Sequence, residues 1–288
     1  MRVAVIGFGE VGGIFARDLL SHGAAVAAFD TAPAAQARAQ VAGVAAASAA
    51  AALEGASAVF VCVTAGSALD AMRSLRGALA HAPWVVDVNS VSPATKQEAA
   101  RIIEAAGGRY VEAAVMASVP PKGLRSPMLL GGPHAGAFTT AMAPYGMDLT
   151  DFSPEIGRAS SVKMCRSVLV KGLEALVTEC MLAARHYGVE ADVLRTMGDT
   201  LPHEDWPGLA RYVISRALIH GKRRAEEMRE VAQTVSDAGV EPLLSRAITA
   251  RQDWAWRQGV AMGDTRKAAP LGPLLDALAD ANRRTAAG

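Results

Sequence analysis

The first thirty residues constrain this chain more than any other stretch. Arg2 to Ile6 reads as a buried strand, and Gly7, Gly9 and Gly12 follow it in G-x-G-x-x-G spacing. An apolar-faced helix to about Leu20 comes next, then a second strand, Ala25 to Phe29, ending in Asp30. Gly7 permits the tight strand-to-helix turn, Gly9 lets a pyrophosphate approach bare backbone, and Gly12 lets the helix pack closely on the strand. The helix start offers unpaired N–H groups and a partial positive charge, which suit a dinucleotide's phosphates. Gly7, Phe8, Gly9, Glu10, Val11 and Gly12 therefore form the candidate cofactor loop. Asp30 lies 18 residues beyond Gly12, where a carboxylate can accept hydrogen bonds from both ribose hydroxyls. A 2′-phosphate would meet like charge there, and Thr31 follows where a basic residue would be needed. NAD is the expected cofactor, with NADP possible.

Strand and helix patterns alternate through the first half. Helices are expected near Ala34–Gln40, Ser48–Leu53, Ser67–Leu79 and Pro93–Ala106, the last with Ser92 as N-cap. Strands are expected at Val44, Ala58–Val63, Trp84–Val88, Tyr110–Val115, Met128–Leu130 and Met147–Thr150. Such a sheet presents its ligand edge at the strand carboxyl ends, so Val63, Thr64 and Asn89 join the candidate cofactor residues. From Ser160 to Tyr187 there is no proline and only one glycine, Gly172, and apolar residues recur at helical spacing. A helix of that length spans about 40 Å. The rest reads as helices over Ala191–Met197, Pro207–Ile219, Lys222–Ala238, Pro242–Gln258 and Leu271–Arg284. The expected class is α/β: an N-terminal Rossmann-type doubly wound sheet over residues 1–157, then an all-helical domain over 158–288 for substrate binding and dimerisation.

Length and composition agree with two domains, at about 100 to 200 residues each. With 29 basic and 28 acidic residues the net charge is +1, which gives no bulk reason to bind nucleic acid or an anionic membrane. Cys62, Cys165 and Cys180 form no C-x-x-C and read as buried small apolar residues in a reducing compartment. The amino terminus shows no signal-peptide pattern, and Glu54 and Gly55 interrupt the Ala-rich run Val41–Val63, so a cytoplasmic protein is expected. His203-Glu204-Asp205 are adjacent and cannot easily converge on one ion, so no metal is expected. His220 and Lys222-Arg223-Arg224 read as a solvated helix end.

The order of these segments resembles the β-hydroxyacid dehydrogenase family, which includes phosphogluconate and 3-hydroxyisobutyrate dehydrogenases. That family joins a nucleotide domain to a helical one and oxidises a hydroxyl beta to a carboxylate, or reduces the carbonyl. Gly7-Phe8-Gly9-Glu10-Val11-Gly12 matches its cofactor loop. Asp87-Val88-Asn89-Ser90-Val91-Ser92-Pro93 resembles its substrate loop, usually D-x-S-T-x-x-P, which would bring Asn89 and Ser90 to the nicotinamide carboxamide and substrate carboxylate. Gly157-Arg158-Ala159-Ser160-Ser161-Val162-Lys163 resembles G-x-G-x-x-x-K and makes Lys163 the candidate general acid/base. A lysine near a helix start is disfavoured as a cation by the dipole, and partial burial acts the same way.

The substrate end departs from the family. Arg166 and Ser167 stand where an orienting asparagine is usual, and Glu112 to Ser118 replaces D-A-P-V-S-G-G, placing Met116 and Ser118 at the carboxylate cradle. The family's downstream lysine–aspartate pair falls at Glu226-Glu227. Lys163, Ser167, Lys171 and Glu174 share one helix face, so Ser167 and Lys171 are candidate substrate contacts, with a Lys171–Glu174 surface pair as the alternative. Lys122 is a further candidate anion contact. The reading is an NAD(P)-dependent dehydrogenase of a small hydroxy or sugar acid, forming a homodimer. The alternatives are an imine or enamine reductase on the same scaffold, and a dinucleotide-binding sensor without catalysis.

Overall fold

The computed structural model describes residues 1–264, 266 and 270–286. The chain divides into two compact units, Met1–Cys165 and Arg166–Gly288. In the first, β1 (Arg2–Ile6), α1 (Glu10–Ser21), β2 (Ala25–Phe29), α2 (Pro33–Val41), α3 (Ala49–Leu53), β3 (Ala58–Val61) and α4 (Ala68–Leu75) follow in order. Then come β4 (Trp84–Asp87), α5 (Pro93–Ala105), β5 (Arg109–Val115), the short α6 (Val119–Lys122), β6 (Met128–Gly131), α7 (Ala135–Met142) and β7 (Leu149–Ser153). The strands form one sheet in the order β2-β1-β3-β4-β5-β6-β7. All pairings are parallel except β5 with β6, which are antiparallel. Val44 makes no strand of its own; Ala45 forms only an isolated bridge to Ala28.

Alternate residues along each central strand enter opposite cores, as a two-residue period demands. Val3, Phe60, Val86 and Val111 face one side, where Phe15, Leu19, Leu130 and Phe138 fill the layer. Ala4, Val59, Val61 and Val85 face the other, against Met72, Leu75, Ile103 and Tyr110. Burial of both faces explains the uninterrupted apolar runs of β1, β3 and β4.

The second unit is helical. The helix α8 (Arg158–Tyr187) begins in the first unit and ends at Gly188 in the left-handed conformation, φ +69°. It is followed by α9 (Glu190–Thr200), α10 (Trp206–Asp237), α11 (Leu243–Met262) and α12 (Leu271–Ala286). The expected break between helices near Gly221 does not occur. Gly221 sits mid-helix in α10, where a Cβ would overlap the Gln252 carbonyl of α11; Gly259 of α11 meets the Leu218 carbonyl in the same way. Both glycines serve close backbone approach rather than helix termination. Asp205 accepts the Gly208 N–H at 2.8 Å and so caps α10, while the Asp205 N–H donates to His203 Nδ1 at 3.1 Å. Among the described residues no helix is long and apolar enough to cross a membrane, and no group of three or more His, Cys, Asp and Glu could hold a metal ion.

Candidate functional site

The glycine turn follows β1 as its sequence demands. Gly7 takes φ +94° with Cys62 behind it, and a Cβ on Gly12 would overlap the Gly7 carbonyl. Gly9 is exposed, with no atom within 4 Å of where its Cβ would stand, so its backbone is open to a ligand. Asp30 fixes this turn directly. Its Oδ2 accepts the Phe8 N–H at 2.6 Å, and its Oδ1 accepts the Ala32 N–H at 2.8 Å. Each carboxylate oxygen keeps lone-pair capacity for a ribose hydroxyl. Two residues missed in the sequence support the turn from α2. Arg38 donates to the Phe8 carbonyl at 3.1 Å, and Gln36 accepts the Asp30 N–H at 3.0 Å. A cavity of about 720 Å³ opens beside the loop, lined by Phe8, Gly9, Glu10, Arg17 and Arg38 among others. Thr31 is exposed and Val11 half-buried.

The neighbouring strand ends bring Val63 and Asn89 together. The Val63 N–H donates to Asn89 Oδ1 at 2.8 Å, and the Asn89 N–H donates to Asp87 Oδ1 at 3.0 Å. Because the Val63 group is a donor, the facing amide atom must be oxygen, which leaves the NH₂ arm elsewhere. That arm, Nδ2, is buried and has no hydrogen-bond partner. Ser90 is half-buried beside it, and exposed Thr64 donates to Ser67 Oγ at 3.3 Å. Met116 is half-buried, while Ser118 and Lys122 are exposed.

Beneath this loop lies an ionic cluster that the sequence reading did not find. Lys96, 1% exposed, comes from α5. Its Nζ is 2.7 Å from the Asp87 carbonyl oxygen and 3.1 Å from Asp87 Oδ1, and the Tyr110 hydroxyl donates to Asp87 Oδ2 at 2.8 Å. Burial, then the Asp87 charge, pushes the Tyr110 phenol well above its ordinary value and raises the Cys62 thiol as well. Cys62 is thereby unsuited to act as a thiolate.

Glu112 of β5 is fully buried and serves the start of α8. Its Oε2 accepts the Gly157 N–H and its Oε1 the Ser160 N–H, both at 2.6 Å. In a capping box two side chains of the helix's own first turn satisfy those two positions; here one distant carboxylate does both. Gly131 leaves room for it, since a Cβ there would overlap Glu112 Oε2, and Gly157 takes φ +103°, a conformation that favours glycine. Lys163 is half-buried, two residues beyond Ser161, in the second turn of α8.

In the helical unit Lys171 and Glu174 are buried rather than surface-paired with each other. Lys171 Nζ lies 2.9 Å from Glu227 Oε2 and 3.0 Å from Ser167 Oγ, while Arg224 reaches Glu174 at 2.7 Å. Gln252 donates to Glu174 at 3.1 Å. Burial is the main cause that raises the Glu174 carboxyl. The basic run at Lys222 lies in mid-helix rather than at a helix end; Lys222 and Arg223 are exposed, while Arg224 turns inward to a carboxylate. His220 is pushed down to about 4, first by burial and then by Arg216, Arg223 and Arg224. The cysteines also depart from expectation: Cys165 and Cys180 are exposed on α8 and Cys62 is half-buried, all three free.

The sheet, the glycine turn and the acceptor after β2 define a Rossmann dinucleotide-binding unit on a scaffold of the dehydrogenase and reductase kind. Residues 2–141 match the NAD binding domain of 6-phosphogluconate dehydrogenase, and residues 184–255 match a domain of unknown function, DUF1932. A conserved hypothetical protein from Sinorhizobium meliloti is 33% identical, with a TM-score of 0.72, over 98% of this chain and 96% of that one. The conserved protein MTH1747, of unknown function and described as structurally similar to 3-hydroxyacid dehydrogenases, is 31% identical with a TM-score of 0.66 over 90% and 99%. An uncharacterised 28.5 kDa protein from the 7S RNA 5′ region of Methanothermus fervidus is 26% identical over 159 residues, 55% of this chain; the match spans 61% of that relative's length. The chain belongs to the family of these Sinorhizobium meliloti and MTH1747 proteins, and its NAD-binding domain is related to that of the 3-hydroxyacid and 6-phosphogluconate dehydrogenase-like proteins.

Proposed function

We propose that this protein is an NAD-dependent oxidoreductase acting on the hydroxyl-bearing carbon of a small organic acid. The open Gly9 backbone beside an Asp30 carboxylate that already fixes the turn is the observation that carries the reading. Gly7 to Gly12 would hold the diphosphate, Asp30 the adenosine ribose, and Val63, Thr64 and Asn89 the nicotinamide half. When bound, the cofactor supplies a hydride acceptor or donor at nicotinamide C4. Neutral Lys163 takes the substrate hydroxyl proton during oxidation; its ammonium form protonates the carbonyl oxygen during reduction. Glu112 holds the helix turn that leads to Lys163. Ser90, Met116 and Ser118 are the substrate contacts of this reading.

General acid/base assistance of this kind is worth about 10² to 10⁴ in rate. Lys163→Ala is expected to lose that factor in kcat while its NAD affinity stays near that of the parent protein. Normal turnover in the variant would remove Lys163 from the chemistry. The substrate class is tested by following nicotinamide absorbance with hydroxy acids, sugar acids and imines; oxidation of at least one hydroxy acid is expected, and activity confined to imines would overturn the assignment. A homodimer belongs to the same proposal. Its support is the exposed apolar surface of α8, where Leu169 is 77% and Leu176 is 69% accessible.

A further inference from the structure

Lys96 is a lysine in a core position. With Ala99, Ala100 and Ile103 it forms the buried stripe of α5, where an apolar side chain would ordinarily lie. A cation there is costly unless paired and hydrogen-bonded. Its pairing is specific: both of its contacts are to Asp87, at the carbonyl and at Oδ1. The same Oδ1 accepts the Asn89 N–H, and Tyr110 holds the other carboxylate oxygen. Asp87 thus cannot rotate without breaking contacts to three different elements. Asn89, at 4% exposure, is gripped in turn by Asp87 and Val63, and it keeps one unpartnered donor, Nδ2. A buried amide donor with no partner marks a place where an acceptor is missing.

We infer that Lys96 is a positioning residue for the nicotinamide–nucleoside half of the cofactor, acting through Asp87 to hold Asn89 Nδ2 as a preset donor. The inference rests on the dinucleotide reading above and adds a support that the cofactor loop does not contain. Lys96 touches no ligand itself. The ion pair fixes the backbone turn after β4, and the turn fixes the amide. Adenosine and diphosphate are read elsewhere, by Asp30 and the glycine turn, so loosening this support affects one half of the cofactor alone.

The test is calorimetric titration with NAD and with ADP, which keeps the adenosine and diphosphate but lacks the nicotinamide nucleoside. Lys96→Met replaces the lysine with an apolar chain of similar length, and Tyr110→Phe removes only the hydroxyl and keeps the packing of the ring. NAD affinity is expected to fall about tenfold in Lys96→Met, the worth of roughly one good hydrogen bond, and less in Tyr110→Phe, with ADP affinity unchanged in both. Should Lys96→Met not fold, the Tyr110→Phe ratio of NAD to ADP affinity decides alone. An unchanged ratio in the folded variants, or equal losses for both nucleotides, would overturn the inference. Parent protein that takes up neither nucleotide would instead sink the dinucleotide reading, and this one with it; parent protein that binds ADP without gaining from the nicotinamide half would sink only this one.

Discussion

Asp30 carries two tasks on one carboxylate. It accepts main-chain donors from Phe8 and Ala32, and in the proposed reading it also presents negative charge where a 2′-phosphate would sit. Asp30→Ala is therefore expected to weaken NAD about tenfold relative to NADP, roughly one lost hydrogen bond together with relieved repulsion. Competition between the two nucleotides measures it, and an unchanged preference would contradict the ribose assignment. The glycines and Asp30 were legible because their constraint is local: a turn, a helix start and a fixed offset. Lys96 and Glu112 were not. Lys96 bonds a residue nine positions away, and Glu112 bonds residues 45 and 48 positions away, separations no periodicity reveals. Lys96 did leave a trace, a charge on the apolar stripe of an otherwise ordinary helix.

At the scale of elements, α8 depends on a cap that belongs to a strand. Removing Glu112 leaves two N–H groups at its start without acceptors. Each charge-assisted bond of this type is worth about 1.5 to 3 kcal/mol, so Glu112→Ala is expected to lower stability by about 3 kcal/mol or more, and Glu112→Gln by less. Urea unfolding measures the difference; an unaltered midpoint in Glu112→Ala would show that solvent satisfies those donors. The opposite lesson comes from α10. Gly221 looks like a helix stop in isolation, yet the helix continues through it. What the glycine provides is room for the α11 backbone, a demand set by a partner element rather than by its own neighbours.

For the whole molecule, the helical unit contains a dense polar cluster within its core, and this gives stability a pH dependence. His220 is pushed from 6.5 to about 4, with Arg216, Arg223, Arg224 and Glu227 around it. Between those values the unfolded chain holds more protons than the folded one. Stability is thus complete above pH 6.5 and declines as the pH falls through that window. Glu174, raised by burial, works in the other direction toward the acid end. Thermal melts between pH 7 and 4.5 are expected to show a falling Tm, and His220→Gln to flatten the slope. An equally steep slope in that variant would assign the loss to other groups.

The sequence alone determined the alternation of strands and helices, the glycine turn with its acceptor, and the change to an all-helical second half. Each of these follows from short-range periodicity and backbone sterics, which any segment carries within itself. Tertiary structure decided the antiparallel β5–β6 pairing, the uninterrupted α10, the partners of Lys171 and Glu174, and the two buried carboxylates that hold the proposed site. Those outcomes depend on which distant groups meet in a medium of low dielectric, where an unpaired charge is costly and a polar atom needs a specific neighbour.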